Sequence, residues 1–289
     1  MKTSLITGAT GNVGLAVIKA LSENQNQLNI VAGIRDLEAE QQKLSDFKIS
    51  LVKFDFTDSS TFENAFSNCD MFFLLRPPQI SDTKKYFLPL IAAAKKSKIK
   101  HIIFLSLQGV EKSKIIPHHK IEKMIVDSKI SFTFLRPAYF MQNFTTTLHP
   151  DLVNKKRIFL PAGQSKFTLV DVSDIGKVAA NIVFNSAKHI NTSYELTCNE
   201  KLTFKEMAIK LSDGLDVKII YISPNLINFF LTKIKEKVPT PLILVMIMLH
   251  YFARFQKEPK ITDCVKSIIG KEPTSFQQFI SNNKKLLTQ

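Results

Sequence analysis

The chain has 289 residues, of which 45% are hydrophobic and 22% are charged, so it is long enough for one large α/β domain, and its composition excludes a disordered or fibrous protein. Its net charge is +14, but the lysines are scattered in pairs, without a dense basic block or interleaved aromatic residues. We therefore expect a solvated, lysine-rich surface and no nucleic-acid partner.

The first half of the chain alternates between short apolar runs, typical of buried strands, and segments with helical spacing of apolar residues. The predicted strands are Lys2–Thr7, Leu28–Ile34, Ile49–Phe54, Asp70–Leu75, His101–Leu105 and Ser131–Leu135. The predicted helices are Asn12–Ser22, Asp58–Phe66, Asp82–Ser97 and Pro117–Ser128. Strands that are buried on both faces and separated by helices predict an α/β protein with a Rossmann-type, doubly wound parallel sheet.

From Pro137 onward the pattern loosens. We assign residues 1–136 to the Rossmann domain and residues 137–289 mainly to a smaller, mixed α/β C-terminal lobe, with segments around 166–185 returning to the Rossmann core. Further strands are predicted at Lys166–Val170, Ser193–Leu196 and Lys218–Ile222. The longest apolar run, Leu242–Leu249, is far below the ~20 residues that a membrane span requires. A buried helix is therefore expected there, and no membrane span.

Three cysteines lie far apart and form no CxxC pair; they are Cys69, Cys198 and Cys264. Neither a disulfide framework nor a metal site is expected from this spacing. The chain runs from Met1 directly into the first predicted strand, so no signal peptide is expected either. A reducing, cytoplasmic location fits these features best.

The strongest motif is the sequence TGATGNVG, Thr7–Gly14, which follows a strand and opens a helix. In that context Gly8, Gly11 and Gly14 allow a tight turn, close approach of backbone amides to a pyrophosphate, and close packing of helix on sheet. The helix N-terminus adds its partial positive charge. Other candidate contacts in this turn are Thr10, Asn12 and Val13. A glycine turn without a ligand is the alternative, which the strand, spacing and helix together disfavour.

Cofactor choice is predicted at the end of the second strand. Arg35 offers a planar fork for the 2′-phosphate of NADP(H), so NADP(H) is favoured over NAD(H). A solvated loop arginine is the alternative, and the neighbouring Asp36 leaves NAD(H) open. After the third strand, Asp55 is placed to accept a hydrogen bond from adenine, with Phe56 beside it, and Asp58 is a predicted N-cap.

These motifs and several others resemble, in order along nearly the whole chain, the NmrA-like, NAD(P)-binding members of the atypical short-chain dehydrogenase/reductases. The further motifs are Phe104–Ser106, His118–Lys123, Leu135–Phe144, Val170–Gly176, Tyr194–Thr197 and Gly270–Phe276. The resemblance implies cofactor contacts at the end of the fourth strand, after the fifth strand, and in a nicotinamide pocket. The implied residues are Leu74, Leu75, Arg76, Ser106, Pro137, Tyr139, Phe140 and Asn143. The aromatic residues among them are equally suited to packing.

One departure from the wider superfamily bears on catalysis. Classical members use a Tyr-xxx-Lys pair as acid and pKa-lowering partner, but no tyrosine of this chain has lysine four residues later. His119 and Lys123 have that spacing, whereas His118 is the better match to the family. A histidine here is suited to position a carbonyl or donate a proton, and Lys123 to reach the nicotinamide ribose. The alternative is a surface pair and a surface lysine. The candidate catalytic residues are His118, His119, Lys123 and Tyr139.

Two functions from different classes remain. One is NAD(P)H-dependent reduction of a quinone-like or other small apolar carbonyl acceptor; the other is a non-catalytic redox sensor that acts through a protein partner. The missing tyrosine favours the quinone, because its reduced anion has a pKa near that of tyrosine, about 10, and water can protonate it. An alkoxide from a simple ketone needs a nearby acid. Apolar segments of the lobe such as Leu226–Leu231 suit a flat aromatic acceptor, although lobe core is the alternative.

Overall fold

The computed structural model describes residues 1–23 and 28–289. It divides into two compact units, each built from separate stretches of the chain. Unit 1 comprises Met1–Ala138, Val172–Leu196 and Asp263–Glu272. Unit 2 comprises Tyr139–Asp171, Thr197–Thr262 and Pro273–Gln289.

The described residues form twelve strands and thirteen α-helices. The strands are β1 (Lys2–Thr7), β2 (Leu28–Ile34), β3 (Ser50–Lys53), β4 (Met71–Leu75), β5 (His101–Leu105), β6 (Ser131–Pro137), β7 (Tyr139–Phe140), β8 (Arg157–Phe159), β9 (Lys166–Val170), β10 (Thr192–Leu196), β11 (Lys201–Thr203) and β12 (Ile220–Ile222). The helices are α1 (Asn12–Ser22), α2 (Leu37–Glu40), α3 (Phe62–Phe66), α4 (Thr83–Lys96), α5 (Pro117–Ser128), α6 (His149–Lys155), α7 (Val172–Phe184), α8 (Phe204–Leu215), α9 (Leu226–Lys235), α10 (Thr240–His250), α11 (Cys264–Ile269), α12 (Phe276–Asn282) and α13 (Lys284–Thr288).

Unit 1 is built on a seven-stranded sheet in the order β10-β6-β5-β4-β1-β2-β3. Every neighbouring pair is parallel, which confirms the predicted Rossmann-type sheet. The strand order reverses between β1 and β4, and ligands of such sheets bind at the carboxyl ends of the strands beside this switch point. Leu5, Phe72 and Phe104, from β1, β4 and β5, are completely buried and hold the centre of the sheet.

Helices α1 and α7 pack closely in unit 1. A Cβ on Gly176 would lie 2.4 Å from the Ala16 carbonyl oxygen, so glycine is required where the two helices touch. Helix α7 and strand β10 belong to unit 1. Strand β9 instead belongs to unit 2, because it pairs with β7 and β11.

The boundary of unit 1 lies after Ala138, two residues beyond the predicted one. Strand β6 continues to Pro137, and the Ala138 amide donates to the Leu196 carbonyl oxygen of β10 over 2.9 Å. The predicted helix at Asp58–Phe66 is a 3₁₀ turn, Ser59–Thr61, followed by α3. Asp58 is its N-cap, as predicted, and accepts from the Ser60 amide.

Unit 2 contains the three-stranded sheet β11-β9-β7 and the pair β12-β8, with helices around them. Its core is rich in completely buried phenylalanines: Phe144, Phe204, Phe229, Phe276 and Phe279. The short strands and mixed pairing agree with the mixed α/β lobe that we expected.

Helix α10 corrects one expectation. The run Leu242–Leu249 is helical, but it is not a buried helix: in α10 only Ile243, Met246 and His250 are buried. Leu244 is 55% exposed and Met248 52%, since one narrow stripe of the helix suffices to cover the unit 2 core. No helix in the described ranges is long and apolar enough to cross a membrane.

Candidate functional site

The glycine turn after β1 has the conformation that the sequence predicted. Gly8 has φ +62°, a left-handed conformation that favours glycine, and a Cβ there would lie 2.8 Å from Leu75 Cδ2. A Cβ on Gly14 would lie 2.1 Å from the Gly8 carbonyl oxygen. Gly11 is different, because a Cβ there would meet only the Gly8 oxygen at 3.4 Å. Gly8 and Gly14 therefore shape the turn, whereas Gly11 keeps its outer side open.

Helix α1 presents an open N-terminus at this turn. Its N-cap is Gly11, which has no side chain to bond the first amides, and its first turn has no acidic residue. Gly11 and Asn12 are exposed and Val13 is buried beneath them. Unpaired amides and the positive end of the helix dipole make this an anion-binding position.

Thr7 ties the glycine turn to the next strand. Its hydroxyl donates to the Phe73 carbonyl oxygen over 3.0 Å and accepts from the Leu75 amide over 3.1 Å. Leu74 between them is completely buried. The motif contained Thr7, but the prediction assigned it no role; its double hydrogen bond fixes the carboxyl ends of β1 and β4 against each other.

Glu40 is a residue that the sequence analysis missed. Helix α2 was not predicted, and it brings the Glu40 carboxylate back to the end of β2. Oε1 accepts from the Thr10 hydroxyl over 3.2 Å, and Oε2 accepts from the Arg35 amide over 3.3 Å. Both donors belong to the loops predicted to bind the cofactor. Asp36 is occupied as the N-cap of α2, so Glu40 is the carboxylate that reaches the position beside Arg35.

Asp55 and Phe56, the predicted adenine contacts, lie at the end of β3. Asp55 Oδ1 accepts from the amide and hydroxyl of Thr57, both at 2.8 Å. The Phe56 ring is buried against Phe54 and Phe87, with ring centres 4.9 and 5.6 Å away. The contact of these residues with adenine stays a prediction.

Two candidate catalytic residues of helix α5, His118 and Lys123, lie on different faces of that helix. His118 stacks on Phe104 of β5, with ring centres 5.9 Å apart, so it points to the sheet. Burial, and next the charge of Arg76, lower its pKa to about 3, and the imidazole is neutral at pH 7. Lys123 is 70% exposed and its Nζ lies 3.0 Å from Asp127 Oδ2. Asp127 lies four residues after Lys123, which is the same spacing that separates His119 from Lys123, so the partner of Lys123 in the structure is Asp127.

A buried ion pair fixes the orientation of α5. Glu122, four residues after His118 on the inner face, is 9% exposed at its side chain and accepts two hydrogen bonds from Arg136 of β6. These are Nε to Oε1 at 3.0 Å and Nη2 to Oε2 at 2.7 Å. Such a planar, bidentate pair has strong angular preference, so it aligns the His118 face with the end of the sheet.

Arg76 and Ser106 follow the neighbouring strands β4 and β5. Arg76 Nε and Ser106 Oγ are both buried and have no hydrogen-bond partner among the described residues. Pro137, at the end of β6, is buried, and its carbonyl oxygen accepts from the Gln108 amide over 3.0 Å. The carboxyl end of this sheet thus combines an open anion-binding turn with two unused buried donors.

Tyr139, Phe140 and Asn143 belong to unit 2. The His250 Nδ1 lies 2.6 Å from the Met246 carbonyl oxygen, which can only accept, so Nδ1 carries the proton. His250 is buried, and burial lowers its pKa to about 4. Its Nε2 is therefore an acceptor, and the Tyr139 hydroxyl donates to it over 3.2 Å. Burial raises the pKa of Tyr139 well above 10. A phenol so placed is a weak acid, and His250 is a partner that the sequence analysis did not assign.

Phe140 pairs with Val170 in the small sheet, and Asn143 lies in the 3₁₀ turn Met141–Thr145. Their role in a nicotinamide pocket stays a prediction. Within residues 1–23 and 28–289, no three or more histidine, cysteine or acidic side chains are grouped so that they could hold a metal ion.

The sequence profile of the NmrA-like family matches residues 1–280. The chain belongs to the NmrA-like family. Prestalk A differentiation protein A of Dictyostelium discoideum is 29% identical over 275 residues, which cover 95% of this chain and 90% of that protein. Quinone oxidoreductase 2 of Escherichia coli (strain K12) is 27% identical over 220 residues, 75% of this chain and 76% of its own length.

The fold of this NmrA-like chain is also similar to solved structures. Triphenylmethane reductase from Citrobacter sp., complexed with NADP(H), superimposes with a TM-score of 0.85 over 98% of this chain and 100% of that one, at 23% identity. At this identity the likeness concerns the fold.

Proposed function

We propose that this chain is an NADP(H)-dependent oxidoreductase whose acceptor is a quinone or another small apolar carbonyl compound. The observation that carries the proposal is the cradle at the end of β1. There, Gly8 and Gly14 shape a turn that a Cβ would fill, and Gly11 leaves the N-terminus of α1 open. This arrangement fits the pyrophosphate of a dinucleotide.

The remaining residues of unit 1 are distributed along the sheet edge in the order that a dinucleotide needs. Arg35 would hold the 2′-phosphate at the end of β2, with Asp55 and Phe56 beyond it at β3. The ends of β4, β5 and β6, on the other side of β1, would carry the nicotinamide half, at Leu74, Leu75, Arg76, Ser106 and Pro137. When bound, NADPH supplies a hydride to the acceptor.

The acceptor class follows from the missing acid. His118 is neutral and has a pKa of about 3, so it is a hydrogen-bond donor or acceptor at pH 7 and not a proton donor in the imidazolium form. The Tyr139 hydroxyl donates its hydrogen bond to His250, and burial raises the pKa of Tyr139. An acceptor whose reduced anion takes a proton from water, such as a quinone, therefore suits this chain best.

The names of two similar proteins support the same class. One relative is named quinone oxidoreductase 2, and one structural neighbour is a triphenylmethane reductase complexed with NADP(H). We also propose a cytoplasmic location, since the three cysteines are free thiols, which suits a reducing compartment. A chain that binds the dinucleotide and reports its redox state to a protein partner is the second candidate, because a sensor needs no proton donor either.

Stopped-flow oxidation of NADPH against a panel of quinones and aldehydes tests the proposal. The reductase should consume NADPH over many turnovers with quinones and far more slowly with aldehydes. His118→Ala should slow the reaction by less than the 10²–10⁴-fold typical of a lost general acid, and His149→Ala, which removes a histidine of unit 2, serves as the control.

The same samples separate the enzyme from the sensor. If no acceptor of the panel oxidises NADPH, although calorimetry shows tight NADPH binding, the reductase proposal is contradicted. A sensor would then require NADPH and NADP⁺ to differ in their effect on the shape of the chain or its affinity for a partner, because only a difference in interaction energy shifts an equilibrium.

A further inference from the structure

Two buried hydrogen-bond donors belong to residues that follow adjacent strands at the carboxyl end of the unit 1 sheet. Leu75 of β4 pairs with Leu105 of β5, so Arg76 and Ser106 are the first residues beyond that pair on adjacent strands. Arg76 Nε and Ser106 Oγ are both buried without a partner, and the Ser106 residue is 4% exposed. Leaving a buried donor unpaired is unfavourable. Ser4 and Ser22 also have buried hydroxyls without a partner, but they lie in β1 and α1, whereas Arg76 and Ser106 follow adjacent strands, which points to a bound group that pairs with both.

The charge of Arg76 is also uncompensated. Its Nη1 donates to the carbonyl oxygens of Pro77, Pro78 and Ile80, over 3.0, 3.1 and 2.7 Å. Within residues 1–23 and 28–289, no carboxylate forms an ion pair with it. The two other half-buried arginines differ: Arg136 is paired with Glu122 and Glu111, and Arg157 with Asp151 and Glu236. Of the three half-buried arginines, only Arg76 lacks a carboxylate partner among the described residues.

The neighbouring groups leave the charge of Arg76 available to a ligand. His118, whose pKa is lowered in part by Arg76, is neutral and brings no negative charge. The loop carbonyls at residues 77–80 hold the Nη1 side of the guanidinium, so the unpaired Nε is fixed in place. A guanidinium N–H and a hydroxyl that follow adjacent strands are donors suited to bind an oxygen that carries, or develops, negative charge.

We propose that Arg76 Nε and Ser106 Oγ form a binding site for an anionic oxygen, that of the reduced acceptor. The inference rests on the proposed function. A hydride brings two electrons and a proton to a quinone, which becomes the hydroquinone monoanion, and water supplies the second proton. The two donors stabilise that anion while it forms, so the chain needs no tyrosine acid. Arg35 and the open turn at Gly11 lie on the other side of the sheet order, at β2 and β1, and serve the phosphates.

Phenolate binding tests the site without turnover. The probe is 4-nitrophenol, whose phenolate is coloured, titrated into the protein with NADP⁺ present. Arg76→Gln should weaken phenolate binding by roughly tenfold or more, and Ser106→Ala by a few-fold, as expected for lost charge-assisted hydrogen bonds. The apparent pKa of the bound phenol should rise by about one unit in Arg76→Gln, which is the same tenfold effect. The matched control is Lys95→Gln, which removes an exposed positive charge on α4 and should change neither.

The second source of an anionic oxygen is the cofactor itself. If Arg76→Gln weakens NADPH binding about tenfold and leaves phenolate binding unchanged, the site holds a cofactor phosphate, and our assignment to the acceptor is overturned. Equal phenolate binding by Arg76→Gln and Lys95→Gln would overturn it as well. If Arg76→Gln does not fold, phenolate binding by Ser106→Ala tests the site instead. The Ser106 hydroxyl has no hydrogen-bond partner among the described residues, so its loss should not affect folding.

The outcomes also separate this site from the proposed function. Arg76-dependent phenolate binding with no turnover of any acceptor would leave the anion site standing and remove the reductase. Quinone turnover with the same kcat/KM in the unmutated chain, Arg76→Gln and Ser106→Ala would keep the reductase and remove the anion site.

Discussion

Replacement of Glu40 by glutamine should raise the affinity for NADPH relative to NADH. The carboxylate bridges the Thr10 hydroxyl and the Arg35 amide, so it occupies the place beside Arg35 where a 2′-phosphate would be held. A phosphate that accepted the hydrogen bond of the Arg35 amide in place of Glu40 would lie about two hydrogen-bond lengths, about 6 Å, from the displaced Glu40 carboxylate. At that distance in water two unit charges repel by ~0.7 kcal/mol, and a phosphate dianion by ~1.4 kcal/mol, which is about tenfold in affinity.

Glutamine keeps the shape of the side chain and one accepting oxygen, and removes the charge. The ratio of the dissociation constants of NADH and NADPH, measured by calorimetry, should therefore shift toward NADPH by about tenfold in Glu40→Gln at low salt, and by less at high salt because of screening. Glu38→Gln is the matched control, since it removes an exposed acid from the same short helix α2. An equal shift in both variants would refute the contact that we infer, and so would no shift in Glu40→Gln.

Three further predictions concern cofactor choice, the glycine turn and pH. Arg35→Ala should erase most of the preference for NADPH over NADH, a loss of ~1.5–3 kcal/mol; calorimetry that finds equal affinities before mutation would contradict it. Gly11→Val should fold, since a Cβ there meets only one atom at 3.4 Å, but it should lose NADPH binding. Gly14→Ala should unfold at lower urea concentration, because its Cβ would lie 2.1 Å from a backbone oxygen. A Gly14→Ala variant of unchanged stability, or a Gly11→Val variant that binds NADPH, would contradict our description of the turn. Burial lowers the pKa of His101 and of His250 to about 4 in the folded chain, below the 6.5 of an unfolded histidine. The free energy of unfolding should therefore fall as the pH is lowered from 6.5 to 4, by about 2 kcal/mol per histidine at pH 5. An equal free energy of unfolding in urea at pH 5 and pH 7 would contradict this prediction.

Local sequence patterns determined the sheet of unit 1 and the glycine turn. The predicted bounds of β1, β2 and β5 agree with the structure, because most residues of these strands are buried and their sequences are mainly apolar there. The turn residues Gly8 and Gly14 were predicted from their spacing between a strand and a helix. A left-handed φ and a contact that leaves no room for a Cβ are conditions that glycine alone meets.

Only the tertiary structure decided which side chains reach the carboxyl end of that sheet. His119 and Lys123 have the right spacing along the chain, but helix α5 is oriented by the pair Glu122–Arg136, which places His118 toward β5 and leaves Lys123 in solvent. The sequence held no signal for Glu40, because a helix of four residues has no period to detect. The sequence also could not show that the donors of Arg76 and Ser106 are unpaired. Each residue follows a different strand, and whether a buried donor finds a partner depends on every neighbour that the fold brings to it.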